Sequence, residues 1–323
     1  MISILICTWK RAVPLKRALA TLYELGWRPS DDLEIVTCHP PGNDESVTML
    51  EECFPDVRIV HAPEANLSLQ RNLVARASKG DVLVYLDDDA WPKEGWLDRL
   101  VAPFADDAVA AVGGSVVDPD GNLMNACMAA TAFGRTYVLD RPEDLPAGHA
   151  LTLQGNNIAI RRTALFALGG FDENYRYHLD ETDVCFSLAQ AGYRLVYQPD
   201  AVIFHEAATG PHRKSAWDRD WHTIAKNHVY YCFTHVRRGR WRLAFVPWML
   251  QLPKLARFWL WMGMGRLSPR AAASCFGRHV AGTFTGYRKG LSRTPRRTLQ
   301  RENSSASVAT PSEAISPGTR QKT

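Results

Sequence analysis

In the first part of the chain the hydrophobic positions form short, nearly continuous runs, not long alternating ones. Between these runs, residues 14–25 and 67–80 are predicted to be helices, and glycines stand where these helices are predicted to end, at Gly26 and Gly80. Strands that are apolar on both faces and alternate with helices predict an α/β fold, with a parallel sheet covered by helices. The runs, each predicted to be a buried strand, are residues 2–7, 33–38, 57–62 and 81–86.

The pattern is less regular further along the chain. Residues 153–171 predict a strand, a short helix and a glycine turn, and residues 180–193 predict a helix with an acidic start. Residues 194–205 are extended in pattern but interrupted by Pro199. The apolar runs at 243–253 and 258–265 are shorter than the ~20 residues that a membrane-spanning helix needs.

Three adjacent carboxylates, Asp87, Asp88 and Asp89, directly follow the predicted strand at 81–86. Ligands of parallel sheets bind beyond the carboxyl ends of the strands. Carboxylate oxygens are suitable ligands for Mg²⁺ or Mn²⁺. The motif alone is also typical of an acidic surface loop, but its place after a buried strand favours a divalent metal site.

A second acidic group, at residues 178–185 (HLDETDVC), opens the predicted helix at 180–193. Asp180 and Asp183 have a structural interpretation as the two partners of a capping box. Glu181 then has no structural task, and a carboxylate at a helix start can act as a general base. Taken alone, Arg71 is interpreted as a solvated or paired surface residue, and His205 as the polar end of a strand.

Charge divides the chain into two unequal parts. Residues 1–209 hold 17 Lys and Arg against 30 Asp and Glu, whereas residues 210–323 hold 21 against 4. This division predicts an acidic catalytic or binding body and a basic region that faces a polyanion, either a membrane surface or a nucleic acid. The apolar runs of the basic region predict helices that lie in a membrane interface or pack on the protein core.

The seven cysteines include no Cys-x-x-Cys pair, which fits a reducing cytosol. No secretory signal is visible in the first residues. Residues 301–323 are rich in Ser, Thr and Pro, which predicts disorder.

Taken in order, four segments resemble family-two glycosyltransferases of the GT-A fold, over residue 2 to about residue 205. The segments are ISILICTWKR, LSLQRNLVARASKGDVLVYLDDDAWP, GNNIAIRRTALFALGGFDENY and DETDVCFSLAQAGYRLVYQPDAVIFH. The resemblance implies a GT-A catalytic domain over 1–209. Charge and composition predict a basic, aromatic helical region over 210–300 and a disordered tail over 301–323. It also implies inverting transfer of a sugar from a nucleotide-sugar donor to an acceptor hydroxyl.

The resemblance assigns roles to individual residues. It implies that Glu181 is the catalytic base, with Asp180 in reserve because the usual order of the two acids is reversed. Asp87, Asp89 and His205 are implied as metal ligands for Mg²⁺ or Mn²⁺, with Asp89 the direct ligand. The residues implied to bind the nucleotide sugar are Thr8, Arg11, Arg71, Asp87, Asp88, Asn156 and Asn157.

The sequence departs from the family after the second strand, where an aspartate usually helps to read the base. Cys38 and His39 stand there instead, and Asp44 comes later, so the donor base is not assigned. A glycan or lipid-linked acceptor at the cytoplasmic face of the inner membrane would explain the basic region. The alternatives are a nucleic-acid-binding protein and a catalytically silent relative that binds sugar nucleotides.

Overall fold

The computed structural model describes residues 1–42, 45–206, 219–237, 239–292 and 294–299, and these contain twelve strands and nine α-helices. The strands, β1 to β12, are Ile2–Cys7, Leu33–His39, Arg58–His61, Val82–Leu86, Ala90–Pro92, Val109–Val117, Leu123–Asn125, Met128–Ala130, Thr136–Val138, Ala150–Thr152, Asn157–Arg161 and Arg194–His205. The helices, α1 to α9, are Ala12–Glu24, Glu45–Cys53, Leu67–Ala77, Trp96–Val101, Arg162–Leu168, Asp180–Gln190, Trp221–His235, Val246–Gly263 and Pro269–Ser292.

Nine of these strands form the main sheet, in which the path β3-β2-β1-β4-β11-β6-β12-β5 is joined by β7 at β6. The first four strands of the path are parallel, and Ile4 of β1 lies between Ile35 of β2 and Val84 of β4. Helices α1, α2 and α4 pack on one face, and α3, α5 and α6 pack on the other. Both faces are therefore apolar, which confirms the α/β fold that the continuous runs predict.

Beyond β4 the sheet is mixed, so the expectation of a mainly parallel sheet holds only for its first half. β11 lies antiparallel between β4 and β6, and β12 runs parallel to β6. The short strand β5 follows β4 almost immediately and pairs antiparallel with the end of β12. This pairing sets Ala90 opposite His205, although the two residues are far apart in sequence.

The region after residue 218 packs on the half of the molecule that contains the main sheet. Tyr230 and Tyr231 of α7 share one apolar cluster with Tyr175, Leu179 and Phe186. The expected boundary between 209 and 210 and the tail at 301–323 both lie outside the described residues, as does Asp44. None of the helices in the described ranges is long and apolar enough to cross a bilayer.

Residues 294–299 return to the same half of the molecule. Leu299 is buried among the apolar side chains between α3 and α5. Arg297 donates from Nη2 to Oδ2 of Asp183 over 2.6 Å, and His235 Nε2 lies 2.8 Å from Oδ1 of the same carboxylate. Burial raises the pKa of Asp183, but Arg297 and His235 outweigh it, so the pKa is lowered overall.

Candidate active site

The carboxyl ends of β1 and β4 meet through Asp88. Thr8 Oγ1 donates to Asp88 Oδ2 over 2.6 Å, and Arg11 Nη1 donates to Oδ1 over 2.9 Å. Burial raises the pKa of Asp88 to about 6 against the opposing effects of Arg11 and Thr8. Asp88 therefore ties the segment after β1 to the end of β4. This places Thr8 and Arg11 at the sheet edge where the sequence predicts the nucleotide-sugar site.

Asp87, Asp89 and His205 form a group that could hold a metal ion. One ligand atom from each lies within 4.8 Å of the others, and Asp89 Oδ1 is 3.1 Å from His205 Nε2. Within the described ranges this is the one such group of His, Cys, Asp or Glu. Two carboxylates and one imidazole suit Mn²⁺ or Mg²⁺, so the side chains present fit the metal that the sequence predicts.

Arg71 lies at the centre of the site and is only 4% exposed, so its interpretation as a solvated surface residue is wrong. Its Nη1 donates to Asp180 Oδ2 over 2.5 Å, and its Nη2 donates to the carbonyl of Gly155 over 3.0 Å. The guanidinium is also 3.9 Å from Asp87 Oδ1 and 3.8 Å from Glu181 Oε2. Burial lowers the pKa of Arg71, but the surrounding carboxylates outweigh it and raise the pKa, so the group stays charged.

The capping box expected at the start of α6 is not formed. Leu179 occupies the N-cap position with a left-handed φ of 68°, and no side chain caps the helix. Asp180 instead pairs with Arg71, and Asp183 is bonded to Arg297 and His235. Both aspartates are drawn away from the helix end because these buried cations and donors offer stronger, charge-assisted hydrogen bonds.

Glu181 occupies the first turn of α6 and keeps 24% of its side-chain surface exposed, so a substrate can reach it. Burial, followed by the neighbouring Asp180, raises the pKa of Glu181 to about 8. A carboxylate with a raised pKa is a stronger base than an ordinary glutamate.

The structure separates the two asparagines that the sequence groups together. Asn157 does not line the site: Trp96 Nε1 donates to its Oδ1 over 2.8 Å, and its Nδ2 donates to the carbonyls of Ser115 and Ala201. All of these hydrogen bonds join strands of the sheet to one another and to α4. The expectation that Asn157 binds the nucleotide sugar is therefore wrong. Asn156 follows Gly155 in the site, and its Oδ1 is buried without a hydrogen-bond partner.

Two contributors to this site had no clear signal in the sequence. Gly155 leaves room for Arg71, since a Cβ there would lie 2.5 Å from Nη2. Asn227 of α7 donates to carbonyls of the loop that precedes Asp180. A buried asparagine in a helix resembles any other in sequence, so only the fold reveals its partners.

The comparisons with known proteins agree with this geometry. A profile of "Glycosyl transferase family 2" matches residues 3–165. The chain belongs to glycosyl transferase family 2. It is thus a member of a transferase family, and the resemblance drawn from its motifs is confirmed.

Curated relatives of the chain include glycosyltransferases. The pre-mycofactocin glycosyltransferase of Mycobacterium tuberculosis is 29% identical over 234 residues, which cover 70% of this chain and 47% of the relative. The chain thus spans about half the length of that relative. The succinoglycan biosynthesis protein ExoM of Rhizobium meliloti is 26% identical over 225 residues, 67% of this chain and 70% of the relative.

Solved structures confirm the GT-A fold. GalNAc-T7 with UDP, GalNAc and Mn²⁺ aligns at a TM-score of 0.57 and 19% identity, over 72% of this chain and 48% of that one. The mannosyltransferase PcManGT of Pyrobaculum calidifontis, with GDP-Man and Mn²⁺, aligns at 0.53 and 19% identity, over 88% and 86%.

Proposed function

We propose that the protein transfers a sugar, with inversion, from a nucleotide-sugar donor to the hydroxyl of a glycan or lipid-linked acceptor. One observation carries the proposal: the guanidinium of Arg71 lies between Asp87 of the metal-ligand group, at 3.9 Å, and the exposed Glu181, at 3.8 Å. A donor diphosphate and an acceptor hydroxyl would therefore meet over one buried cation. Two structural neighbours support this choice, one with UDP, GalNAc and Mn²⁺ and the other with GDP-Man and Mn²⁺.

In this mechanism Glu181 accepts the proton of the acceptor hydroxyl as its oxygen attacks the anomeric carbon from the face opposite the diphosphate. Arg71 pairs with Asp180, which leaves Glu181 to act as the base, and adds positive charge beside the departing diphosphate. Asp87, Asp89 and His205 would hold the metal ion, Mn²⁺ or Mg²⁺, which supplies charge neutralisation to the diphosphate. Thr8, Arg11 and Asp88 would shape the nucleotide side of the site.

Calorimetric titration of UDP, GDP, TDP and CDP, each with and without Mn²⁺, tests the donor side. We expect one nucleotide to bind in a metal-dependent way and Asp89→Ala to abolish that binding. Asp107→Ala is a matched control, because that carboxylate is fully exposed at the opposite end of the sheet. Absence of binding by all four nucleotides in the folded protein would refute the proposal. Binding without sugar transfer would indicate the silent relative.

The same proposal includes a membrane surface, because one face of α8 and of the turn before it is exposed and apolar. Its side chains recur at helical intervals of three and four residues, and the opposite face of α8 packs on α7 and α9. Residues 239–292 contain nine Lys and Arg and no Asp or Glu, which complements anionic headgroups. The exposed apolar residues of this face are Trp241, Phe245, Met249, Leu252, Trp259, Leu260 and Met264.

Vesicle flotation tests the membrane surface. We expect the protein to float with vesicles containing about one-third phosphatidylglycerol, and to be released progressively by salt, because screening weakens charge attraction. The double variant Trp259→Ser, Leu260→Ser should reduce flotation, whereas Val13→Ser, which alters a still more exposed apolar residue on α1, should not. No flotation of the unaltered protein would refute the membrane role, and binding to a single-stranded oligonucleotide would favour the nucleic-acid alternative.

A further inference from the structure

The loop before α6 has an unusual backbone. Arg176, His178 and Leu179 have φ values of 62°, 69° and 68°, although none of them is glycine. Such left-handed residues are sterically strained, and they persist only where the surroundings hold them in place. The loop leads directly into Asp180 and Glu181, so its conformation sets where Glu181 points.

The carbonyl groups of residues 174–178 are all held from outside the loop. Lys226 Nζ donates to the carbonyl of Asn174 over 2.6 Å, and the backbone N–H of Leu67 donates to the carbonyl of Arg176 over 2.7 Å. The remaining three carbonyls share one donor. This donor belongs to α7, so it connects the loop to the helical region that follows residue 218.

That donor is Asn227, a residue of α7 with no exposed surface. Its Nδ2 lies 2.8 Å from the carbonyl of Tyr175, 2.6 Å from that of Tyr177 and 2.8 Å from that of His178. A carboxamide carries two N–H groups, so at least one of them is shared between two of these oxygens. No other natural side chain of this length and neutral charge places an NH₂ group there.

We propose that Asn227 is a positioning residue for transfer: it holds the loop of residues 175–179, in which Arg176, His178 and Leu179 are left-handed, and thereby aims Glu181 at the acceptor. The inference rests on the proposed role of Glu181, and it assigns part of the catalytic geometry to a helix beyond residue 218. Asn227 touches neither the metal-ligand group nor Arg71 in any contact of the described residues, so its effect on donor binding should be small.

The variants are chosen to separate positioning from general destabilisation. Asn227→Ala removes the shared donor. Cys232→Ala is the matched control, because it removes another buried side chain from α7, one whose bonds go to Phe133 and His228 and not to residues 174–178. His178→Gly, combined with Asn227→Ala, should restore function in part, because glycine adopts a positive φ without steric cost.

Two measurements are made on all four proteins. The first is the steady-state rate of sugar transfer to an alkyl glycoside acceptor in the presence of Mn²⁺. The donor is a nucleotide sugar that carries the nucleoside diphosphate found to bind in calorimetry. We expect Asn227→Ala to lower kcat about 100-fold, as a misplacement of ~1 Å does, with the donor KM and the nucleotide affinity changed less than about twofold. Cys232→Ala should keep kcat within about threefold, and the glycine double variant should recover at least tenfold.

The second measurement is hydrogen–deuterium exchange over residues 176–183 and, for comparison, 82–92. Asn227→Ala should speed exchange in the first segment only, and His178→Gly should slow it again. An unchanged kcat, or unchanged exchange in 176–183, would overturn the inference, as would a loss of nucleotide affinity equal to the loss in kcat. If the exchange pattern is as expected but the unaltered protein transfers no sugar, the proposed function fails and the support of the loop by Asn227 stands.

Discussion

Replacing Asp180 by asparagine should move the pH dependence of transfer to lower pH. Glu181 must be ionised to accept a proton, and its pKa is raised to about 8 by burial and then by Asp180. The acidic limb of the kcat/KM profile should therefore rise through about 8 in the unaltered enzyme, with activity increasing as pH increases. Asp180→Asn removes the nearby negative charge, so Glu181 should lose its proton at a lower pH.

The size of the shift follows from the contacts of Arg71. In the unaltered protein its guanidinium is bonded to Asp180 over 2.5 Å, and it stands 3.8 Å from Glu181 Oε2. A unit charge pair at ~4 Å is worth about 4 kcal/mol at an effective dielectric constant of ~20, and the repulsion of Glu181 by Asp180 opposes the attraction of Glu181 to Arg71. Once Asp180 is neutral, its repulsion is lost while the attraction to Arg71 remains, and a downward shift of at least about one pH unit is expected.

The assay is the pH profile of kcat/KM from pH 5 to 9.5 for the unaltered protein, Asp180→Asn and Glu181→Gln. Glu181→Gln should lose transfer while nucleotide binding stays nearly intact, because the amide cannot accept the proton. Transfer lost in Asp180→Asn but retained in Glu181→Gln would make Asp180 the base. A limb that stays in place or moves to higher pH would refute the electrostatic reasoning.

Three further outcomes are expected. Gly155→Ala should lower transfer by at least about tenfold, because the added Cβ would lie 2.5 Å from Nη2 of Arg71 and would push the guanidinium out of place. Gly277→Ala should leave transfer unchanged, because a Cβ there has no atom within 4 Å. Arg297→Met should lower the free energy of unfolding by about 3 kcal/mol in urea at pH 7, because it leaves a buried carboxylate without its cation. Arg194→Met, whose ion pair with Asp106 is exposed on both sides, should cost less than about 1 kcal/mol. EDTA should abolish nucleotide binding, and Mn²⁺ should restore it; binding that persists in EDTA would argue against a metal-dependent site.

The fold of the first half could be predicted because continuous apolar runs identify strands buried on both faces. The same reasoning predicted the position of Asp87 and Asp89, because carboxylates that directly follow a buried parallel strand lie at the edge of the sheet where ligands bind. His205 could be assigned only through the resemblance. Its approach to Asp89 depends on β5 folding back onto the end of β12, a pairing of distant segments that no local pattern specifies.

Local rules failed where tertiary contacts were stronger. The spacing of Asp180 and Asp183 fits a capping box, yet the left-handed Leu179 begins the helix, and both carboxylates are taken by buried partners. Asn157 has the sequence context of a binding loop, but three internal hydrogen bonds occupy its side chain. Such outcomes depend on which groups the fold brings within reach, and the sequence order does not contain that information.

The ion pair between Arg297 and Asp183 bears on how this enzyme can be recombined with its relatives. The acidic and basic parts look like interchangeable modules when they are distinguished by charge alone. However, the carboxylate of one part is neutralised by a cation of the other, and Leu299 fills a space in the core beside the main sheet. A chimaera that joins the acidic part to a foreign helical extension would leave Asp183 buried without this cation and a cavity between α3 and α5. Residues 294–299 should therefore be transferred together with the acidic part to keep such a hybrid stable.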